Sequence, residues 1–147
     1  MRYVAVIGAG EATPAMEEQA EAVGRGVAEG GGAVVCGGLG GVMAAACRGA
    51  REAGGLTIGL LPGENRTHAN PWVQVAIPTG LGELRNGLVV RAADVVVAIG
   101  GAYGTLSEIA LALRRGLRVV GLGTWELDAP ILRAATPEEA VELAFRH

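Results

Sequence analysis

The sequence predicts a doubly wound α/β fold, Rossmann-like in three layers, with a mainly parallel sheet between two layers of helices. Short apolar runs rich in Val and Ile alternate with Ala-rich stretches of helical length along the chain. Residues 95–99 are apolar at every position, which is typical of a strand covered by helices on both faces. Because no linker, repeat or low-complexity segment interrupts this alternation, we expect residues 1–147 to form one domain.

The first half of the chain contains three predicted strands and two predicted helices. Tyr3–Ile7 is the first strand, and Pro14 lies near the start of the following helix, where its missing N–H is tolerated. This helix runs to about Glu29, after which three consecutive glycines end it. The remaining elements of this half are strand Ala33–Cys36, helix Val42–Ala53 and strand Leu56–Leu61.

The second half begins with a polar loop at residues 64–72, where Asn and Pro favour turns. A terminal helix at Pro137–Phe145 is expected to be capped by Thr136. The elements predicted between them are strand Trp72–Ile77, helix Leu81–Ala92, strand Asp94–Ile99, helix Tyr103–Arg115 and strand Arg118–Leu122.

The composition excludes several classes of protein. None of the 147 residues is lysine, and all 12 basic side chains are arginines. A Schiff-base enzyme, such as one that uses pyridoxal phosphate, and a Walker A nucleotide site both need that missing lysine. The formal net charge of −3 argues against binding to nucleic acid or to anionic membranes.

Cysteine content and hydropathy give the remaining bounds. Cys36 and Cys47 are too few for a disulfide scaffold and lack the spacing of a metal site, so we expect two buried thiols and no metal. The apolar run Val4–Ala9 is too short for a signal peptide, and no run approaches the length of a membrane span. We therefore expect a cytoplasmic protein.

Three predicted strands end in glycine clusters, and in a parallel sheet ligands bind beyond those ends. Such turns lead into helix N-termini, whose free N–H groups favour anions, so the clusters indicate a phosphate-bearing ligand. The alternative is that strand-to-helix turns need glycine in any case. The dinucleotide fingerprint is incomplete, since Thr13 replaces its third glycine and Cys36 ends the second strand without an acidic residue. The candidate glycines are Gly8, Gly10, Gly37, Gly38, Gly41, Gly100, Gly101 and Gly104.

The densest group of candidate residues is 100–108, which follows a strand and opens a helix. Thr105 and Glu108 are three residues apart, a spacing that is typical of a capping box. The functional interpretation is that Thr105 and the glycine turn bind phosphate while Glu108 faces a bound sugar. The spacing alone does not separate these two interpretations.

Arg85 is the second candidate. It borders an apolar stripe on its predicted helix, near the ligand edge of the sheet. An arginine there pairs with a carboxylate, binds an anion, or is exposed with its stem on the core. Asn86 and the Thr79-Gly80 turn are weaker candidates for the same place. The stripe consists of Leu81, Leu84, Leu88 and Val89.

The predicted helix Tyr103–Arg115 is apolar nearly all round, which is typical of a helix buried inside the protein or at a subunit contact. We therefore expect a homo-oligomer, a dimer or a tetramer. Trp72 and Trp125 are interpreted as anchors in the core or in an interface rather than as walls of a pocket.

Two motifs in this chain, residues 37–43 (GGLGGVM) and 100–108 (GGAYGTLSE), resemble the paired motifs of the LOG family, formerly labelled lysine decarboxylases. The second is similar to that family's PGGxGTxxE motif. The family's Arg-Lys pair, eight residues before an Ala-Asp, corresponds to Arg85-Asn86, with asparagine in place of lysine. With Ile99 in place of the motif's proline and Asn86 in place of the lysine, the chain is more similar to a sister branch that includes the molybdenum cofactor carrier proteins, which bind a pterin phosphate without converting it.

The resemblance implies a Rossmann-like fold and phosphate binding by Gly100, Gly101, Gly104 and Thr105. It also places Arg85 and Glu108 at the positions of the catalytic pair of the LOG phosphoribohydrolases, which cleave the N-glycosidic bond of nucleoside 5′-monophosphates.

Our leading hypothesis is a carrier-like protein that binds a nucleotide or the molybdenum cofactor and needs no further cofactor. The alternative is a phosphoribohydrolase, in which the Glu108 carboxylate stabilises the sugar cation or activates water.

Overall fold

The computed structural model describes all 147 residues and contains one sheet of seven strands, each parallel to its neighbours. The order across the sheet is β4-β3-β2-β1-β5-β6-β7. The strands are β1 (Tyr3–Gly8), β2 (Ala33–Cys36), β3 (Leu56–Leu61), β4 (Val75–Pro78), β5 (Val95–Ile99), β6 (Arg118–Leu122) and β7 (Ile131–Arg133). The sheet therefore winds outwards from β1 in both directions, which confirms the predicted doubly wound class.

Five helices cover the two faces of the sheet. They are α1 (Pro14–Glu29), α2 (Val42–Glu52), α3 (Arg85–Arg91), α4 (Tyr103–Arg114) and α5 (Pro137–Phe145). Helices α1, α2 and α5 share one apolar core with one face of the sheet, and α3 and α4 share a second core with the other face. Because both faces are covered, β5 is buried at all five positions. No helix is both long enough and apolar enough to cross a bilayer.

The ends of the helices follow the local sequence. Thr13 caps α1 by accepting a hydrogen bond from the Met16 N–H, and Pro14 occupies the first turn. Thr136 caps α5 through the N–H of Glu139, as predicted. Most predicted elements agree with the structure to within one residue.

Two predicted elements, one strand and one helix, have wrong limits, and one further strand was not predicted. The predicted strand Trp72–Ile77 forms only at Val75–Pro78, because Thr57 binds residues 72–74 instead: its hydroxyl donates to the Trp72 carbonyl and accepts from the Gln74 N–H. Strand β7 was not predicted, since three residues are too few to show a pattern. The predicted loop at 64–72 contains one turn of 3-10 helix at Arg66–His68.

The predicted helix Leu81–Ala92 divides into a 3-10 turn at Gly82–Leu84 and the shorter helix α3. The apolar stripe on it does not face the core as its spacing suggested. Only Val89 of the stripe is buried, whereas Leu81, Leu84 and Leu88 are exposed. The buried face of α3 instead carries Arg85 and Asn86 beside Val89 and Val90. Two polar side chains therefore occupy an interior position that the hydrophobic pattern had assigned to leucines.

Candidate functional site

The sheet order brings the candidate turns to one place. Strand β1 lies between β2 and β5, so the turns after these three strands are adjacent at the carboxyl edge. The chain leaves β1 for β2 on one side and reaches β5 on the other, which makes the gap between β1 and β5 the switch point of the sheet. Ligands of open α/β sheets bind at such a point.

A cavity of about 190 Å³ opens at this switch point. Its walls combine glycine backbone, a few apolar side chains and four polar ones. The lining residues are Val6, Ile7, Gly8, Gly10, Gly37, Met43, Arg85, Asn86, Ala102, Gly104, Thr105 and Glu108. Eight of the fourteen candidates named from the sequence are therefore brought together here.

Arg85 enters the cavity from the first turn of α3. Its guanidinium donates one hydrogen bond through Nη2 to the Gly37 carbonyl at 3.4 Å and another through Nη1 to Asn86 Oδ1. The Nε–H is buried and has no partner. Burial lowers the pKa of Arg85, while the negative charge of Glu108 opposes that shift. A buried guanidinium with an unused donor is well suited to hold an anion.

Glu108 lies on the wall formed by α4 and is buried like Arg85. Burial raises the pKa of its carboxyl to about 7, and the positive charge of Arg85 opposes this rise. The two residues are not among the four ion pairs of the structure. Neither charge is therefore neutralised by direct contact with the other, and Glu108 can gain or lose a proton near neutral pH.

The N-terminus of α4 forms the third side of the cavity. Helix α4 begins at Tyr103, and its cap residue Ala102 provides no side-chain hydrogen bond. The first backbone N–H groups of a helix have no partner within it, so those of α4 are available to a ligand. Gly100 and Gly101, both with positive φ, shape the turn that precedes the helix.

The capping-box interpretation of Thr105 and Glu108 is wrong. Thr105 is the third residue of α4 rather than its cap, and both side chains are buried in the cavity wall. The side chain of Thr105 packs against the turn, since a Cβ on Gly101 would lie 2.3 Å from its Oγ1. The spacing of three residues therefore places two polar groups on one cavity wall.

Six of the sequence candidates do not line the cavity. Gly38 faces Leu61, and Gly41 lies against the Ala9 carbonyl. Thr79 donates its hydroxyl to the Leu61 carbonyl, which anchors the end of β4 to β3. The six are Gly38, Gly41, Thr79, Gly80, Gly100 and Gly101.

Four lining residues were not candidates from the sequence: Val6, Ile7, Met43 and Ala102. Val6 and Ile7 read as ordinary core residues of a strand, and nothing in the sequence marks them as lining a site. Met43 lies in the first turn of α2, directly after the glycine cluster 37–41, so its place in the motif was the only signal that it lies near the ligand edge.

The two cysteines lie behind the Gly37 turn and are both free and buried. Their sulfur atoms are 3.5 Å apart, and Cys36 Sγ also accepts a hydrogen bond from the Gly38 N–H. The hydrogen bond between the two sulfur atoms, together with burial, raises the pKa of Cys47, whereas the same hydrogen bond lowers the pKa of Cys36. These contacts help to fix the turn that presents the Gly37 carbonyl to Arg85.

The chain is similar over nearly its whole length to several known proteins. The chain is 41% identical over 141 residues to an uncharacterized protein of Archaeoglobus fulgidus, covering 96% of this chain and 93% of that one. It is similar to the solved molybdenum cofactor binding protein of Rippkaea orientalis, with a TM-score of 0.90, 39% identity and coverage of 97% and 94% of the two chains. It is also similar to the molybdenum cofactor carrier protein of Chlamydomonas reinhardtii, with a TM-score of 0.86, 35% identity and coverage of 96% and 94%.

The family model described as the SLOG cluster4 family matches residues 1–145, which include every element of the fold and every residue that lines the cavity. The resemblance inferred from the two glycine motifs and from Arg85 is thereby confirmed at the level of the family. This chain belongs to the SLOG cluster4 family.

Proposed function

We propose that this protein binds a phosphorylated small molecule in the cavity at the switch point and carries it unchanged. The ligand is of the nucleotide or molybdenum cofactor type, and residues 1–147 act as one ligand-binding domain. The observation that carries this proposal is the buried guanidinium of Arg85, whose Nε–H has no partner, facing the same cavity as the open N-terminus of α4. Both features favour a phosphate group.

The carrier role is supported by the similarity to two proteins whose structures are described as molybdenum cofactor binding or carrier proteins. Asn86 gives independent support. It occupies the place next to Arg85 where the LOG hydrolases have lysine, and its Oδ1 accepts a hydrogen bond from the guanidinium. An amide there orients Arg85 without adding a second positive charge.

A phosphoribohydrolase is the second candidate function, and one observation favours it. Glu108 is a cavity carboxyl with a pKa of about 7, so it can accept and return a proton at neutral pH. In that case Arg85 holds the 5′-phosphate, and the Glu108 carboxylate stabilises the positive charge that develops at the anomeric carbon of the ribose or activates water there.

Native mass spectrometry separates these two functions. The purified protein is examined as isolated and again after incubation with AMP, and free adenine is assayed in the same sample. A carrier retains an intact phosphate-bearing ligand and releases no adenine. Steady release of adenine that disappears in Glu108→Gln would instead establish the hydrolase.

We also propose that the protein is a homo-oligomer, because the face formed by α3 and α4 carries exposed apolar side chains. Leu84 and Leu88 on one side and Leu111 on the other are 76%, 40% and 42% exposed. A second copy of the chain would cover the part of these leucines that a ligand bound between α3 and α4 leaves exposed, and would remove apolar surface from water. Light scattering tests this: Leu84→Glu is expected to lower the measured mass, and a wild-type protein of monomer mass would contradict the proposal.

We place the protein in the cytoplasm because free thiols are typical of reducing compartments.

A further inference from the structure

An exposed aromatic side chain stands directly beside the cavity. Tyr103 is the first residue of α4, between Ala102 and Gly104, which both line the cavity. Its side chain is 80% exposed, unusually open for a tyrosine at a candidate site. On one side its ring packs against the ring of Trp125, with centroids 5.9 Å apart and planes inclined at 33°.

The loop after β6 holds this aromatic pair in place. Trp125 donates from Nε1 to the Ala102 carbonyl at 3.0 Å, and the neighbouring Thr124 donates its hydroxyl to the Gly100 carbonyl at 2.6 Å. Trp125 also packs at the edge of the core that α3 and α4 share with the sheet. Both hydrogen bonds end on the turn that leads into α4, so the orientation of Tyr103 is tied to the geometry of that turn.

The cavity at the switch point is smaller than most sites that hold a whole small molecule. Its volume of about 190 Å³ lies below the roughly 300–1,000 Å³ of most small-molecule sites. A second cavity of about 540 Å³ adjoins it and shares Asn86 and Gly104 with it. A ligand with its phosphate at the start of α4 therefore has room for its remaining part in this second cavity.

The walls of the second cavity indicate what that part is. Leu84, Tyr103 and Leu111 supply apolar surface, and Glu83, Asn86 and Ser107 supply polar groups. The Glu83 carboxylate accepts hydrogen bonds, which suits an amino group on the edge of a ring. A flat apolar ring with polar edge groups matches both kinds of wall.

We propose that Tyr103, positioned by Trp125, is the platform on which the planar, amino-bearing heterocycle of the ligand stacks. This inference rests on the proposed function, since it assumes that the phosphate group binds at the start of α4. Stacking on an aromatic side chain contributes to binding without depending on the identity of the base, because every such ring has a π face. Tyr103 thus selects ligands with an aromatic ring from among sugar phosphates.

Isothermal titration with AMP and with ribose 5-phosphate tests the proposal, because the two probes share the phosphate and the ribose and differ in the ring. Wild type is expected to bind AMP about tenfold more tightly than ribose 5-phosphate. Tyr103→Leu should lose most of this difference by weakening AMP alone, and Tyr103→Phe should retain it. Tyr3→Leu is the matched control, since the only other tyrosine lies at the opposite edge of the sheet.

Several results would overturn the proposal. Equal affinity of wild type for both probes would remove the heterocycle platform while leaving phosphate binding in place. Equal weakening of both probes in Tyr103→Leu would make Tyr103 a support for the phosphate turn. A change in mass by light scattering with unchanged affinity for AMP would make it a subunit contact, and failure of both probes to bind wild type would overturn the proposed function as well.

Discussion

The guanidinium of Arg85 lies so close to Gly37 that no side chain fits between them. A Cβ on Gly37 would lie 2.5 Å from Nη2 and 2.8 Å from Cζ of Arg85. The Gly37 carbonyl also accepts a hydrogen bond from the same nitrogen. The glycine after β2 is therefore required by the position of the arginine. This contact connects the first glycine motif with the Arg85-Asn86 pair, which the sequence had marked separately.

Gly37→Ala is expected to displace Arg85 and weaken ligand binding while the chain still folds. Stabilisation of the protein by ribose 5-phosphate in a thermal melt measures this, because a bound ligand raises the melting temperature by mass action. Gly63→Ala is the control, since the nearest atom to its Cβ would be His68 Nδ1 at 4.0 Å. Equal stabilisation of Gly37→Ala and Gly63→Ala would show that Arg85 does not hold the ligand in this position.

The stability of the protein should depend on pH through Glu108. Its pKa rises from the ordinary value of 4.5 to about 7 on folding, so between these values the folded state keeps a proton that the unfolded state has lost. This contribution to the free energy of unfolding is fully present below pH 4.5 and is lost as the pH rises through 7, by at most about 3 kcal/mol. Urea unfolding at a series of pH values measures it.

Glu108→Gln is the matched variant for the pH series, because its amide keeps the shape of the side chain and does not titrate. The difference in unfolding free energy between wild type and this variant should fall from pH 4.5 to 7 and be constant above about pH 8. Parallel curves for the two proteins would mean that Glu108 has an ordinary pKa.

A side chain at Gly101, in the turn before α4, should lower the stability of the protein. This residue has φ of 107°, and a Cβ would lie 2.3 Å from Thr105 Oγ1. Gly116 has a similar positive φ of 81° but open space around it, so Gly116→Ala carries only the backbone strain of about 1–2 kcal/mol. Chemical denaturation should show that Gly101→Ala is less stable than Gly116→Ala by about 1 kcal/mol. Equal losses in the two variants would contradict the close contact with Thr105.

The sequence was sufficient to predict most of the fold because its strands are continuous apolar runs and its turns are marked by glycine. It misplaced the buried face of α3, where Leu84 is exposed and Arg85 is buried. Periodicity assigns apolar residues to the core, and it does not register that a cavity with polar walls lies beneath part of a helix. Thr105 and Glu108 were ambiguous for a related reason, since a capping box and a cavity wall need the same spacing and differ only in where the helix begins.

The two thiols should be unreactive in the folded protein. Cys36 and Cys47 are both fully buried, and their sulfur atoms contact each other rather than solvent. Although the pKa of Cys36 is lowered, a thiolate reacts with a reagent only where the reagent reaches it. Titration with a disulfide reagent should therefore detect neither thiol in buffer and both in guanidinium chloride, and rapid labelling in buffer would show that the Gly37 turn opens.

The proposed binding of phosphate by Arg85 is tested most directly by titrating ribose 5-phosphate into wild type, Arg85→Gln and the control Arg146→Gln. Ribose 5-phosphate carries the phosphate and has no glycosidic bond to cleave, so binding is measured free of turnover. Arg146 is exposed and pairs with Glu142 on α5. We expect Arg85→Gln to bind at least about tenfold more weakly than wild type, because it loses charge-assisted hydrogen bonds, and Arg146→Gln to match wild type. Equal affinity of all three proteins would contradict phosphate binding by Arg85.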